Sequence, residues 1–133
     1  MTALHLDTHV IVWLAAGEHA RIPSAVKARL GTGALLHSPQ VRMELEYLAA
    51  KGVLTATPEQ VLGSLRGLGL REETSMPYDR VVDCATDAAM RDWEHRDPFD
   101  RLIVAHARAD GALLITKDQR IREYWSGALA IWD

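Results

Sequence analysis

The 133-residue chain is 48% hydrophobic and 25% charged, with 9 Gly, 5 Pro and a single Cys. That length buries a core without disulfide or metal staples, and the composition is that of a soluble globular protein rather than a disordered or fibrous one. A formal net charge of −3 offers no general attraction to nucleic acid or acidic membranes, and a lone Cys84, which cannot form an intrachain disulfide, points to a reducing cytoplasm.

The apolar run in MTALHLDTHVIVWLAAGEH is too short, and too interrupted by His5, Asp7 and His9, to span a membrane. No basic segment precedes it, so no leader is expected and every residue is read as mature protein. In chain order, Ala3 to Leu6 reads as a strand ending at Asp7, and Val10 to Ala16 as a helix stopping near Gly17. Pro23 to Leu30 reads as a second helix, closed by Gly31 and Gly33. Ala34 to His37 is a buried strand, after which Ser38 and Pro39 open a helix through Lys51 to Gly52.

Thr57, Pro58 and Gln60 start a further helix in capping-box fashion, and Leu70 to Thr74 follows as a weaker strand. Asp79 to Trp93 reads as one helix with Val82, Ala85, Ala89 and Trp93 on one face. Asp97 and Pro98 begin the next, which runs to Gly111. Ala112 to Thr116 is the clearest strand, Gln119 to Tyr124 a short helix, and Ala128 to Trp132 a closing strand. Strands alternating with helices predict an α/β fold, a central parallel sheet with helices on both faces. In such sheets ligands bind at the carboxyl ends of the strands.

Two acids break the apolar pattern. Steps of three, four and seven from Asp100 reach Ile103, Val104 and Ala107, the stripe that should face the core. Glu44 lies beside Val41, Leu45 and Leu48, whereas Glu46 points nearly opposite. Asp7 falls at the end of the first strand and Asp118 just beyond the ALLIT strand, at the same rim if those strands are parallel neighbours. Each acid has a simpler structural account: Asp7 and Asp97 as helix N-caps, Asp118 as a turn residue, Asp100 as a first-turn acid favourable to the helix dipole. None of these explains the convergence. Buried carboxylates take up protons or share a cation, and oxygen ligands suit Mg²⁺ or Mn²⁺. With four acids set aside as ligands, 14 remain against 15 basic residues, 12 of them Arg, leaving room for a local phosphate-binding surface.

Other chemistry is weaker. There is no HExxH, no cysteine cluster, no P-loop and no GxGxxG. His95 and His106 read as surface or hydrogen-bonding residues rather than ligands. Trp13, Trp93, Trp125 and Trp132 read as core or dimer contacts, with base stacking the lesser alternative.

With Asp7 in LDTHVIVWL, Glu44 in SPQVRMELEYL, Asp100 in HRDPFDRLIVAHA and Asp118 in LLITKD, the chain resembles PIN-domain ribonucleases, in particular VapC-type toxins of bacterial toxin–antitoxin pairs, and among them those carrying HxDPFDR. The resemblance runs over essentially the whole length and implies one PIN domain over residues 1–133. It implies an acidic quartet of Asp7, Glu44, Asp100 and Asp118 binding Mg²⁺ or Mn²⁺, with Asp97, Thr116 and Thr8 as auxiliary candidates. It further implies a cytoplasmic homodimer inhibited by a cognate VapB-like antitoxin, cutting structured RNA such as tRNA or rRNA.

The reaction expected is metal-assisted phosphodiester hydrolysis, with Arg42, Arg101, Lys117 and Arg120 as candidates for contacting the RNA backbone. A different class, a catalytically silent PIN-like module that binds protein through its acids, is separated from it by metal-dependent turnover. A phosphotransferase of the haloacid-dehalogenase or receiver type is disfavoured, because LDTHVIV lacks the second aspartate of the former and the sequence lacks the acidic pair of the latter.

Overall fold

A computed structural model describes residues 2–126 and 129–132 of the chain. At its centre is β1 (Ala3–Leu6), in which Leu4, His5 and Leu6 are all buried. Alternate strand residues point to opposite faces, so burial of all three means that both faces of the sheet are covered. The order in the sheet is β3 (Arg71–Glu72), β2 (Ala34–His37), β1, β4 (Leu113–Ile115) and β5 (Ala130–Ile131). Every pairing is parallel, and His5 stands between Leu36 on one side and Leu114 on the other. This is the α/β architecture expected from the alternating pattern.

The helices are α1 (Thr8–Ala15), α2 (Ser24–Leu30), α3 (Pro39–Ala50), α4 (Pro58–Arg66), α5 (Tyr78–Ala85), α6 (Ala88–Asp92), α7 (Pro98–Ala109) and α8 (Gln119–Trp125), with a 3₁₀ turn at His19–Arg21. Among the described residues none is long and apolar enough to cross a membrane. Their starts follow local chemistry. Thr57 and Gln60 form the reciprocal capping box of α4, and Pro39 and Pro98 occupy first turns where a missing N–H costs nothing. At the far end of α7, Gly111 takes φ +65°, a left-handed conformation that lets the chain turn directly into β4.

Four expectations need correction. The single helix read from Asp79 to Trp93 is two, because Asp87 leaves helical geometry and caps α6, its carboxylate accepting from the Met90 amide at 2.9 Å. Val81 rather than Val82 is the buried position of α5. The strand expected over Leu70 to Thr74 shrinks to the two-residue edge strand β3, since the Glu73 carboxylate turns back to accept from the Ser75 and Met76 amides. The first helix begins at Thr8, two residues earlier than the apolar pattern, because Asp7 caps it. Of the closing strand, Ala130–Ile131 is seen, and Ala128 lies outside the described residues.

Chain order dictates where a site can form. From β1 the chain builds outward through β2 and β3, then returns to the other side of β1 with β4 and β5. The reversal leaves a crevice at the carboxyl ends of β1 and β4. Asp7 sits there, its amide donating to Ile115 O at 3.0 Å.

Candidate active site

Asp7 follows β1 at this switch point, with both carboxylate oxygens held. The Thr8 amide donates to Oδ1 at 2.8 Å, and the Thr116 hydroxyl, at the end of β4, donates to Oδ2 at 2.6 Å. The Thr116 hydroxyl in turn accepts from the Asp118 amide at 3.0 Å. On the other side, the Thr8 hydroxyl donates to Glu44 Oε1 at 2.5 Å, tying α1 to α3. The two auxiliary threonines, both fully buried, are thus the clamps of two acids.

Asp100 comes in from the first turn of α7. An ionised carboxylate only accepts, so His95 Nε2–H donates to Asp100 Oδ2, at 2.6 Å. One oxygen from each of Asp7, Glu44 and Asp100 falls within 4.8 Å of the others. Glu44 is only 9% exposed and the Asp100 side chain 13%, so this is not a patch of solvated charge.

The electrostatics carry the mark of that crowding. Burial pushes the Glu44 carboxyl up to about 7, and the negative charges of Asp7 and Asp100 add to it against the Thr8 hydrogen bond. Burial likewise raises Asp100 to about 6, the His95 hydrogen bond opposing and Asp7, Asp97 and Asp118 reinforcing. Asp7 is raised by burial and by Asp118, against its hydrogen bonds from Thr116 and Thr8. Three carboxyl groups that resist ionising together form a set that a hard cation would stabilise.

Asp118 stands outside this tight set. It caps α8, Oδ1 accepting from the Arg120 and Ile121 amides at 2.9 and 3.2 Å, and its charge still reaches Asp7 and Asp100. Asp97 is exposed and caps α7 through the Phe99 and Asp100 amides. Capping and site-building coincide for Asp7 and Asp118, which follow β1 and β4 and open α1 and α8, whereas Glu44 enters the rim from within α3.

The matching family model is that of the PIN domain, over residues 4–125. The chain belongs to the PIN domain family. Solved structures with the same fold include VapBC2 of Rickettsia felis bound to a DNA fragment from its promoter, at TM-score 0.65 and 19% identity, covering 98% of this chain and 99% of that one. A second is DNA-bound VapBC of Salmonella typhimurium, at TM-score 0.62 and 21% identity, covering both chains fully. A third is VapBC-1 of nontypeable Haemophilus influenzae, at TM-score 0.67 and 18% identity, covering 97% and 96%. No curated protein sequence matches.

Within this PIN fold the basic candidates divide. Arg101 turns inward: its guanidinium donates to the carbonyls of Trp93, His95 and Met90 at 3.1, 2.7 and 2.7 Å, which fixes the segment that carries His95. Both terminal nitrogens of Arg101 are thus engaged with the protein's own backbone. Arg42 makes a two-point pair with Glu72, 2.9 and 3.2 Å. Lys117 Nζ lies 5.4 Å from the Trp13 ring centroid. Arg120 is 67% exposed, its Nε 3.9 Å from Asp118 Oδ1.

The sequence reading gave His95 no link to Asp100, although the two are only five residues apart in HRDPFD. It also passed over Glu73, buried and bonded to His106 Nε2 at 2.9 Å. No local signal marks that acid, since EE in LREETS reads as a solvated pair.

Proposed function

We propose that this PIN protein is a divalent-metal-dependent endoribonuclease, the toxin of a toxin–antitoxin pair. The observation that carries this reading is the largely buried set of Asp7, Glu44 and Asp100 at the sheet's switch point. An all-oxygen donor set fits Mg²⁺ or Mn²⁺ rather than a soft metal, and the raised carboxyl groups fit a site built to hold a cation. Asp118 completes the quartet from just outside, adding negative potential, and Asp97 adds more at the rim.

When bound, the ion supplies charge neutralisation at the phosphate and a water of lowered pKa. The protein's own part is orientation. Thr116 and Thr8 hold Asp7 and Glu44 in fixed rotamers, His95 holds Asp100, and Glu44 or Asp100 positions the attacking water in line with the scissile bond. Arg120 and Lys117, flanking Asp118 in sequence, are the cations for the RNA backbone, and Arg42 is a third once parted from Glu72. Full-length structural likeness to VapBC chains supports a VapB-like antitoxin partner; the same reading takes the toxin as a cytoplasmic homodimer with structured RNA such as tRNA or rRNA as substrate.

The test compares the antitoxin-free protein with Asp7→Asn on total cellular RNA, with Mg²⁺ or Mn²⁺ and with a chelator, mapping cut ends. Discrete cuts are expected that need both metal and Asp7, with the variant down at least 100-fold, the scale on which loss of a central electrostatic group acts. Equal inertness of two folded proteins across metals and RNAs would favour a protein-binding role instead.

A further inference from the structure

A cavity of about 550 Å³ opens beside the acids. One wall is the segment that joins α6 to α7, the other is α8. His95 lines it and bonds Asp100; Arg120 lines it and lies against Asp118. His95 therefore belongs both to the cavity wall and to the support of the acid cluster.

Its aromatic part is rigid. Tyr124 donates its hydroxyl to Ala89 O at 2.6 Å, lies 6.0 Å from Trp93 at an interplanar angle of 23°, and meets Trp125 edge-on at 4.9 Å. With the ring fixed from three directions, 40% of Tyr124 is still exposed. A flat, pre-ordered aromatic surface costs little entropy to use. Stacking on such surfaces is how unpaired bases are held.

The rim decides what kind of ligand fits. Asp92, Glu94 and Glu123 line it against the single full cation of Arg120, a balance that repels a phosphate and suits a neutral group. Carboxylates are acceptor-only, so the group must bring donors. Among nucleobases, guanine presents two adjacent N–H donors on its Watson–Crick edge, which one carboxylate accepts together, whereas uracil presents one.

We infer that this cavity is a subsite for an unpaired nucleobase next to the scissile phosphate, stacking it on Tyr124 and favouring guanine through its carboxylate rim. The inference rests on the ribonuclease reading and adds a specificity element to it. Arg120, at the seam, takes the phosphate that joins this base to the reacting nucleotide.

The experiment uses the full chain free of antitoxin and a synthetic RNA spanning a mapped cut. Tyr124→Ala is expected to raise KM about tenfold, within the range base stacking supplies, with Mn²⁺ affinity within twofold of wild type. Tyr124→Phe keeps the ring and stays near wild type. The mapped ends of the wild type are expected to share a guanine at one fixed position from the cut. Glu94→Gln and Asp92→Asn, exposed changes that leave the fold intact, relax that preference. Unchanged KM in Tyr124→Ala beside an active wild type overturns the subsite alone. Cut ends without base bias, or a guanine preference untouched by the rim variants, overturn the carboxylate rim. A wild type that cuts no RNA overturns the nuclease reading and the subsite with it.

Discussion

Glu44 shows what a site demands of a single residue. Its carboxyl sits at about 7 against an ordinary 4.5, so without metal it destabilises the fold wherever it must ionise. The stability tied to its protonated form is fully present below about 4.5 and is lost as pH rises through about 7. Glu44→Gln should therefore stabilise the metal-free protein at pH 8, by on the order of 1 to 3 kcal/mol. The same variant should weaken the rise in Tm that Mn²⁺ gives the wild type, about 2.7 kcal/mol at a hundredfold excess over Kd. Thermal unfolding at pH 8 with and without Mn²⁺ measures both, and an undiminished Mn²⁺ effect in the variant would remove Glu44 from the site. Asp100 repeats the pattern, raised to about 6. At this scale the sequence was informative, because an acid on an apolar helical face is visible from spacing alone. What spacing did not show is who holds each acid: Thr8 on Glu44, Thr116 on Asp7 and His95 on Asp100 are partners drawn from other elements or from an irregular turn.

Among the elements, most were legible because each carries its own start and stop. Ser38–Pro39, Thr57–Gln60 and Asp97–Pro98 open helices by chemistry confined to a few residues. The exception is the stretch from Asp79 to Trp93, where apolar period continues across a break. Asp87 ends that continuity because it caps the Met90 amide and also receives Arg108 Nη2 at 2.7 Å, a bond from α7 that no local pattern contains. A second element-scale constraint lies at the start of β2. A Cβ added at Gly33 would stand 2.2 Å from the Thr2 carbonyl oxygen and 3.3 Å from Leu4 Cγ, and a backbone oxygen cannot give way as a side chain tip can. Gly33→Ala is expected to cost about 1 to 3 kcal/mol and to raise amide exchange along β1 and β2. Unchanged denaturation and exchange would mean that the two strands can separate without cost.

Across the whole molecule, buried polar groups tie the sheet to the helices away from the acids. His5 of β1 bonds Asp110 beyond α7 at 2.8 Å, and His106 of α7 bonds Glu73 at 2.9 Å. Burial pushes Glu73 up, but hydrogen bonds from the Ser75 hydroxyl, His106 and the Met76 and Ser75 amides reverse this and hold it at about 2. A depressed carboxyl contributes stability that is present above its unfolded value of 4.5 and lost as pH falls through about 2. Glu73→Gln should flatten the acid limb of the stability curve between those values and cost on the order of 3 kcal/mol at neutral pH, read by urea unfolding across pH. An acid limb identical to wild type would place the transition in other carboxylates.

The sequence by itself determined the alternation of strands and helices, the parallel sheet, and the acids out of place on their helices, because hydrophobic period and capping act within a few residues. Only the tertiary structure decided that Asp7, Glu44 and Asp100 meet while Asp118 stands aside. It also turned Arg101 inward and set a rigid aromatic cavity beside the acids. The meeting of the acids and the making of the cavity depend on strand order and on contacts between elements dozens of residues apart, whereas Arg101 turns onto carbonyls of α6 and the irregular segment just before α7. No window along the chain brings Asp7, Glu44 and Asp100 together.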